Sequence, residues 1–130
     1  LAACRSPSGV VWERRVGYLP VGLSSVQAVR APQTVRAGEP FEVAVTTVGS
    51  STCMRAAGAE RHAAGAAVEI TPYDWFAVRG TACTRDLRPF RRDVRVSVPE
   101  PGRYTLRVVG APFPSGEGKA VIELVLDVDG

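Results

Sequence analysis

The sequence has no asparagine, one histidine (His62), one lysine (Lys119) and three cysteines. Each shortage closes off a class of chemistry. A lone histidine leaves little for acid–base relays, and the clustered Asp, Asn and Gly residues that cradle calcium are missing. A zinc site built from Cys53, His62 and Cys83 would need a fourth ligand, and no paired C-x-x-C spacing supports it. No phosphate-cradling glycine motif occurs. No run approaches the roughly 20 apolar residues that cross a bilayer as a helix. A Ser-His-Asp set can be written from Ser50 or Ser51, His62 and Asp74, but no G-x-S-x-G spacing accompanies it. No catalytic residue, cofactor or metal is expected.

What is present describes a globular chain. At 130 residues and 45% hydrophobic content, it fits one domain with a core that needs no metal. The formal charge is +3, carried on the basic side almost wholly by arginine. That balance suits an acidic protein face or anionic headgroups, and it falls short of the dense basic stripe of a nucleic-acid binder.

From residue 26 onward, side chains alternate with a period of two, as in half-buried strands. Phe41, Val43 and Val45 share one face, with Glu42, Ala44 and Thr46 on the other. Val94, Val96 and Val98 alternate with Arg95 and Ser97. After Pro99-Glu100-Pro101-Gly102, Tyr104, Leu106 and Val108 alternate with Thr105 and Arg107, which predicts a β-hairpin. A last strand places Ala120, Ile122, Leu124, Leu126 and Val128 together. "VVWERRVGYL" and "SVQAVRAP" read as earlier strands, and Ala37 to Pro40 as a turn. The alanine-rich "MRAAGAERHAAGAA" tempts a helix, but Gly58 and Gly65 each cost about 1 kcal/mol there and no three-four apolar stripe recurs. It reads as an irregular strand, a turn at Gly65, and the strand "AAVEIT". About seven short strands separated by Gly and Pro turns predict a two-sheet antiparallel sandwich.

Two resemblances sharpen this reading. Leu1-Ala2-Ala3-Cys4, followed by the polar "RSPSG", resembles a bacterial lipobox and tether. The resemblance implies a leader that is removed, lipidation of Cys4, and a place in the cell envelope outside the cytoplasm. Residues 1–9 are then tether and 10–130 the single domain. "TVRAGEPFEVAVTT" and "PEPGRYTLRVVG" resemble immunoglobulin-like domains of bacterial envelope proteins, with Gly102 to Val108 similar to strand F. The cysteine usual two residues after that tyrosine is Leu106 here. In an exported chain Cys53 and Cys83 meet oxidising conditions, and a bridge between them would tie the middle loop to the end of the Phe41 strand. The alternative is two buried free thiols.

Two segments stand out as partner surfaces. In "TPYDWFAVRG", Tyr73, Trp75 and Phe76 crowd together, and alternation sends Trp75 or Phe76 away from the core. In "RDLRPFRRDVR", an arginine-rich loop, Arg85, Arg88, Arg91 and Arg92 offer forks for carboxylates or phosphates. Trp12 can reinforce either. The expected role is a lipid-anchored binding or accessory module docking on a larger membrane or envelope complex. The alternatives are a ligand carrier or hydrolase-like enzyme with a cleft near His62, Asp74 and Tyr73, and a plain spacer domain.

Overall fold

The computed structural model describes residues 9–23, 25–115 and 117–130 in full and residues 2–5 through their backbone. The described residues are all-β: β1 (Ala2–Arg5), β2 (Val11–Val16), β3 (Tyr18–Leu19), β4 (Val29–Arg30), β5 (Thr34–Arg36), β6 (Phe41–Ser51), β7 (Met54–Ala64), β8 (Ala67–Arg79), β9 (Arg85–Val96), β10 (Gly102–Pro112) and β11 (Ala120–Asp129). Of the expected tether, Ala2–Arg5 forms β1 against β2, while residues 1 and 6–8 lie outside the described residues. None of the described residues belongs to a helix long and apolar enough to cross a membrane.

The strands make two sheets. The smaller runs β4-β6-β9 and is antiparallel. The larger follows β1-β2-β8-β10-β11-β5, with β7 also on β8 and β3 also on β10. Alternation implied antiparallel pairing throughout, yet this larger sheet is mixed. β10 runs parallel to β8 and β3, and β11 runs parallel to β5. The chain's route explains it: β9 crosses into the smaller sheet after β8, so the return crossing brings β10 back in the direction of β8.

The same crossing removes the expected hairpin. β9 pairs with β6, whereas β10 pairs with β11 and β8. The turn at Pro99 to Gly102 steps between sheets, and the Tyr104 hydroxyl donates to the Glu100 carbonyl at 2.9 Å across that corner. The arginine-rich segment is strand β9 rather than a loop. The alanine-rich segment is strand, as its glycines required. Gly58 adopts φ 80° where the β7–β8 register shifts, and Gly65 takes φ 59° at the turn.

Inward side chains of both sheets meet in one core. Val43 and Val45 of β6 and Val94 and Val96 of β9 join Val68, Ile70, Leu106, Val108, Leu126 and Val128 from the larger sheet. Burying each contributes about 1.5–3 kcal/mol before conformational entropy is subtracted.

A fork in the larger sheet positions everything that follows. β8 pairs with β10 only over residues 67–70, and then with β2 over residues 73–79. Gly17, between β2 and β3, spans the opening: its N–H donates to the Pro72 carbonyl and its carbonyl accepts from the Ala111 N–H, both at 2.9 Å. Only glycine fits, because a Cβ there would lie 2.6 Å from Thr47 Cγ2 and 2.9 Å from Asp74 Oδ2.

An aromatic and arginine face beside a disulfide

Residues opposite one another in a ladder share a face. Arg14 of β2 and Arg55 of β7 both stand opposite Trp75 of β8, and Trp12 stands opposite Ala77. The neighbour of Trp75 in sequence, Asp74, is fully buried, so the row containing Tyr73 and Trp75 faces outward. Trp12, Tyr73 and Trp75 are each half-buried there.

Guanidinium groups organise this row. Arg55 lies over the Trp12 ring, 3.8 Å from its centroid, reaching across the small side chain at Ala77. Arg14 lies 4.0 Å over the Tyr73 ring. Its Nε and Nη2 donate to the Ala57 carbonyl at 3.2 and 3.0 Å, and its Nη1 is 3.7 Å from Glu60. Glu60 also acts on Tyr73: its hydrogen bond, followed by burial, raises the phenol pKa above the ordinary value, and Arg14 pulls it the other way. Cation–π stacking of this kind contributes roughly 0.5–1 kcal/mol at exposed sites and fixes the orientation of the arginine.

The expected site residues do not stay together. Trp12, Tyr73 and Trp75 come together on the outward face, with Arg14 and Arg55 as partners that the sequence reading missed. The signal existed, since Trp12, Arg14 and Val16 alternate along β2. Phe76 points the other way, edge-on to Tyr18 at 5.9 Å and beneath Arg15 at 4.9 Å. Arg85 and Arg91 are exposed on the smaller sheet, Arg91 held by Asp93 at 3.2 Å. Their row faces away from the core on the opposite side of the molecule, so Arg85 and Arg91 do not join the aromatic cluster, whereas Arg88, of opposite parity, lines a cleft together with Trp12.

Arg92 points inward from β9. Its side chain is 9% exposed and lies 3.0 Å from the fully buried Asp74. Nη1 donates to the carbonyls of Tyr73 at 2.6 Å and Gly58 at 3.0 Å, and Nη2 to that of Phe90 at 2.8 Å and to the Thr47 hydroxyl. The Thr47 hydroxyl in turn donates to Asp74 at 2.7 Å. These contacts tie β6, β7, β8 and β9 together beneath Gly17. The carboxylate is incompletely compensated, because Oδ1 receives no aligned N–H and Arg92 Nε has no acceptor. Burial therefore raises the Asp74 pKa, against the lowering pull of Arg92 and the Thr47 hydroxyl.

Cys53 and Cys83 form a disulfide, which joins the β6–β7 turn to the β8–β9 connection. Both sulfurs are thereby withdrawn from any zinc site. His62 is exposed opposite Glu69, whereas Asp74 lies opposite Ala56. Five strand positions separate the two along β8, about 17 Å, so no Ser-His-Asp relay and no shared His62–Asp74 cleft is assembled. A groove of 420 Å³ lies elsewhere, between the β4 and β11 edges, with Arg30, Gln33, Leu106, Leu124 and Asp127 among its walls.

The rest of the larger sheet's outward face is different in kind. Arg107 pairs with Glu69 and Glu123 at 3.6 and 3.4 Å, and Arg103 with Asp127 at 3.2 Å. Cross-strand ion pairs of this sort form a solvated, self-satisfied surface. No family model, curated protein or solved structure matches the chain.

Proposed function

We propose that this chain is a non-catalytic, extracytoplasmic binding module of the bacterial envelope, lipid-anchored through Cys4, that docks on a larger membrane-associated protein complex. The observation that carries the docking part is the outward cluster of Trp12, Tyr73 and Trp75, held in place by Arg14 and Arg55. Pre-oriented aromatic and arginine side chains are the types that dominate binding energy at interfaces, because little rotamer freedom is left to lose. The disulfide supports an oxidising compartment. Cys4 stands opposite Trp12 in the β1–β2 ladder, so an acyl anchor at this cysteine would place the cluster close to the bilayer and raise its effective concentration toward membrane partners.

An immunoglobulin-like ancestry is part of the same reading. The β4-β6-β9 order parallels one sheet of that fold, and β10 with β11 parallels its last two strands. The Tyr104 corner bond supports it further. The departure is β8, which runs parallel to β10 where that fold places an antiparallel strand.

Two measurements test the proposal separately. Labelled palmitate fed to cells making the full precursor should enter the protein and fail to enter the Cys4→Ser variant; an unlabelled wild type refutes the anchor. A photocrosslinking residue at position 75 should give one discrete membrane-protein adduct, weakened by Trp12→Ala. The same probe at position 121, beside the ion-paired ladder, should give none. Equal adducts from both positions refute the docking face.

A further inference from the structure

We infer that the end of the molecule beside the disulfide binds a small organic oxyanion, a carboxylate or phosphate carried on an apolar body. A cavity of 390 Å³ opens there, walled by Trp12, Met54, Arg55, Arg88, Thr81 and Ala82. That volume lies within the range of about 300–1,000 Å³ in which small ligands are held. The reading does not depend on the anchor, and it draws on Trp12 and Arg55, which also belong to the proposed docking cluster.

The walls divide the cavity into two chemistries. Trp12, Met54, Cys53 and Ala82 supply an apolar side. Arg55 and Arg88 supply the charge, and Thr52 and Thr81 also line the wall. Arg88 is partly committed: its Nε is 2.8 Å from Asp86, and Nη2 makes long contacts of 3.4 and 3.5 Å to the Ser51 and Met54 carbonyls. Arg55 is not. Among the described residues it has no carboxylate within ion-pair distance, and its contact is the face of Trp12. Stacking holds the guanidinium flat and leaves its N–H edge to form the paired hydrogen bonds that suit a carboxylate or phosphate. An arginine already fixed in place loses less freedom when it binds.

The disulfide defines the opening. Thr52 and Cys53 come from the β6–β7 connection with Met54 opening β7, Thr81 and Ala82 come from the β8–β9 connection, and the Cys53–Cys83 bond, across a separation of 30 residues, links them. The Ala77 N–H to Cys53 carbonyl bond at 2.8 Å and the Thr84 N–H to Thr52 hydroxyl bond at 3.0 Å add to that joint. The cavity is thus built by cross-links between segments distant in sequence.

The test uses the full chain carrying Trp75→Phe, which leaves Trp12 as the only indole. Phenylacetate, phenyl phosphate and neutral phenylacetamide are titrated separately while Trp12 emission is followed. Saturable binding of an anion, at least about tenfold tighter than the amide, is expected, because a charge-assisted pair is at stake. Preference for phenylacetate marks the natural ligand as an organic acid, and preference for phenyl phosphate marks it as a phosphomonoester. Arg55→Ala should weaken binding about tenfold, whereas Arg103→Ala, on the ion-paired ladder, should not change it. No saturable response to either anion, an amide bound as tightly, or an Arg55→Ala protein that binds undiminished overturns the inference.

Discussion

Asp74, Arg92 and Thr47 carry the strongest single-residue consequences. Removing Arg92 leaves a buried carboxylate without its counter-charge, so Arg92→Ala should destabilise the fold by about 3–5 kcal/mol, read as a lower urea midpoint. The pH dependence follows from the raised Asp74 pKa. The folded chain holds this proton more tightly than the unfolded chain does. The group's contribution is therefore fully present below the unfolded aspartate pKa and is lost as pH rises through the folded value. The stability of wild type relative to Asp74→Asn should increase as pH falls from neutrality into the acid range. A difference that stays flat with pH would contradict the direction of the shift. Both residues were legible as inward-facing from parity alone: Asp74 alternates in step with Val68 and Ile70, and Arg92 with Val94 and Val96. Residue type pointed outward and position pointed inward, and position won because each charge has the other.

At the scale of elements, Gly17 is the sensitive joint. Gly17→Ala drives a methyl into Thr47 and the Asp74 carboxylate, and should cost at least about 1–3 kcal/mol in chemical denaturation with the disulfide intact. The strands around Phe41, Val94, Tyr104 and Ala120 were readable because one face of each is core and the other solvent. Their partners were not. A Pro-Glu-Pro-Gly turn is equally compatible with a hairpin and with a step between facing sheets, and the hydrogen bond from Tyr104 to Glu100 belongs to the second case. β5 escaped notice because three residues are too few to show a period, and its place rests on parallel pairing with β11. Of the outward cluster, the aromatics were visible as composition. The arginines that stack on them became visible only when ladder register placed Arg14 and Arg55 opposite Trp75.

For the molecule as a whole, the disulfide is, among the described residues, the one covalent constraint between distant segments of the chain. Closing a 30-residue separation stabilises by about 3–4 kcal/mol on the loop-entropy model, so a Cys53→Ala, Cys83→Ala double variant should unfold at markedly lower temperature. The two outward faces are also separable. Charge reversal at Arg91, on the smaller sheet, should leave crosslinking from position 75 unchanged, since their rows point away from each other.

The glycine bridge also bears on the order of events during synthesis. Residue 17 bonds to residues 72 and 111, so this joint cannot close until segments far along the chain have been made. Until β8 is made, β2, carrying Trp12 and Val16, has only β1 beside it, and its other side is the kind of exposed edge that invites wrong partners. The Gly17 bridge thus acts as a bolt, driven home only after the frame it locks has closed.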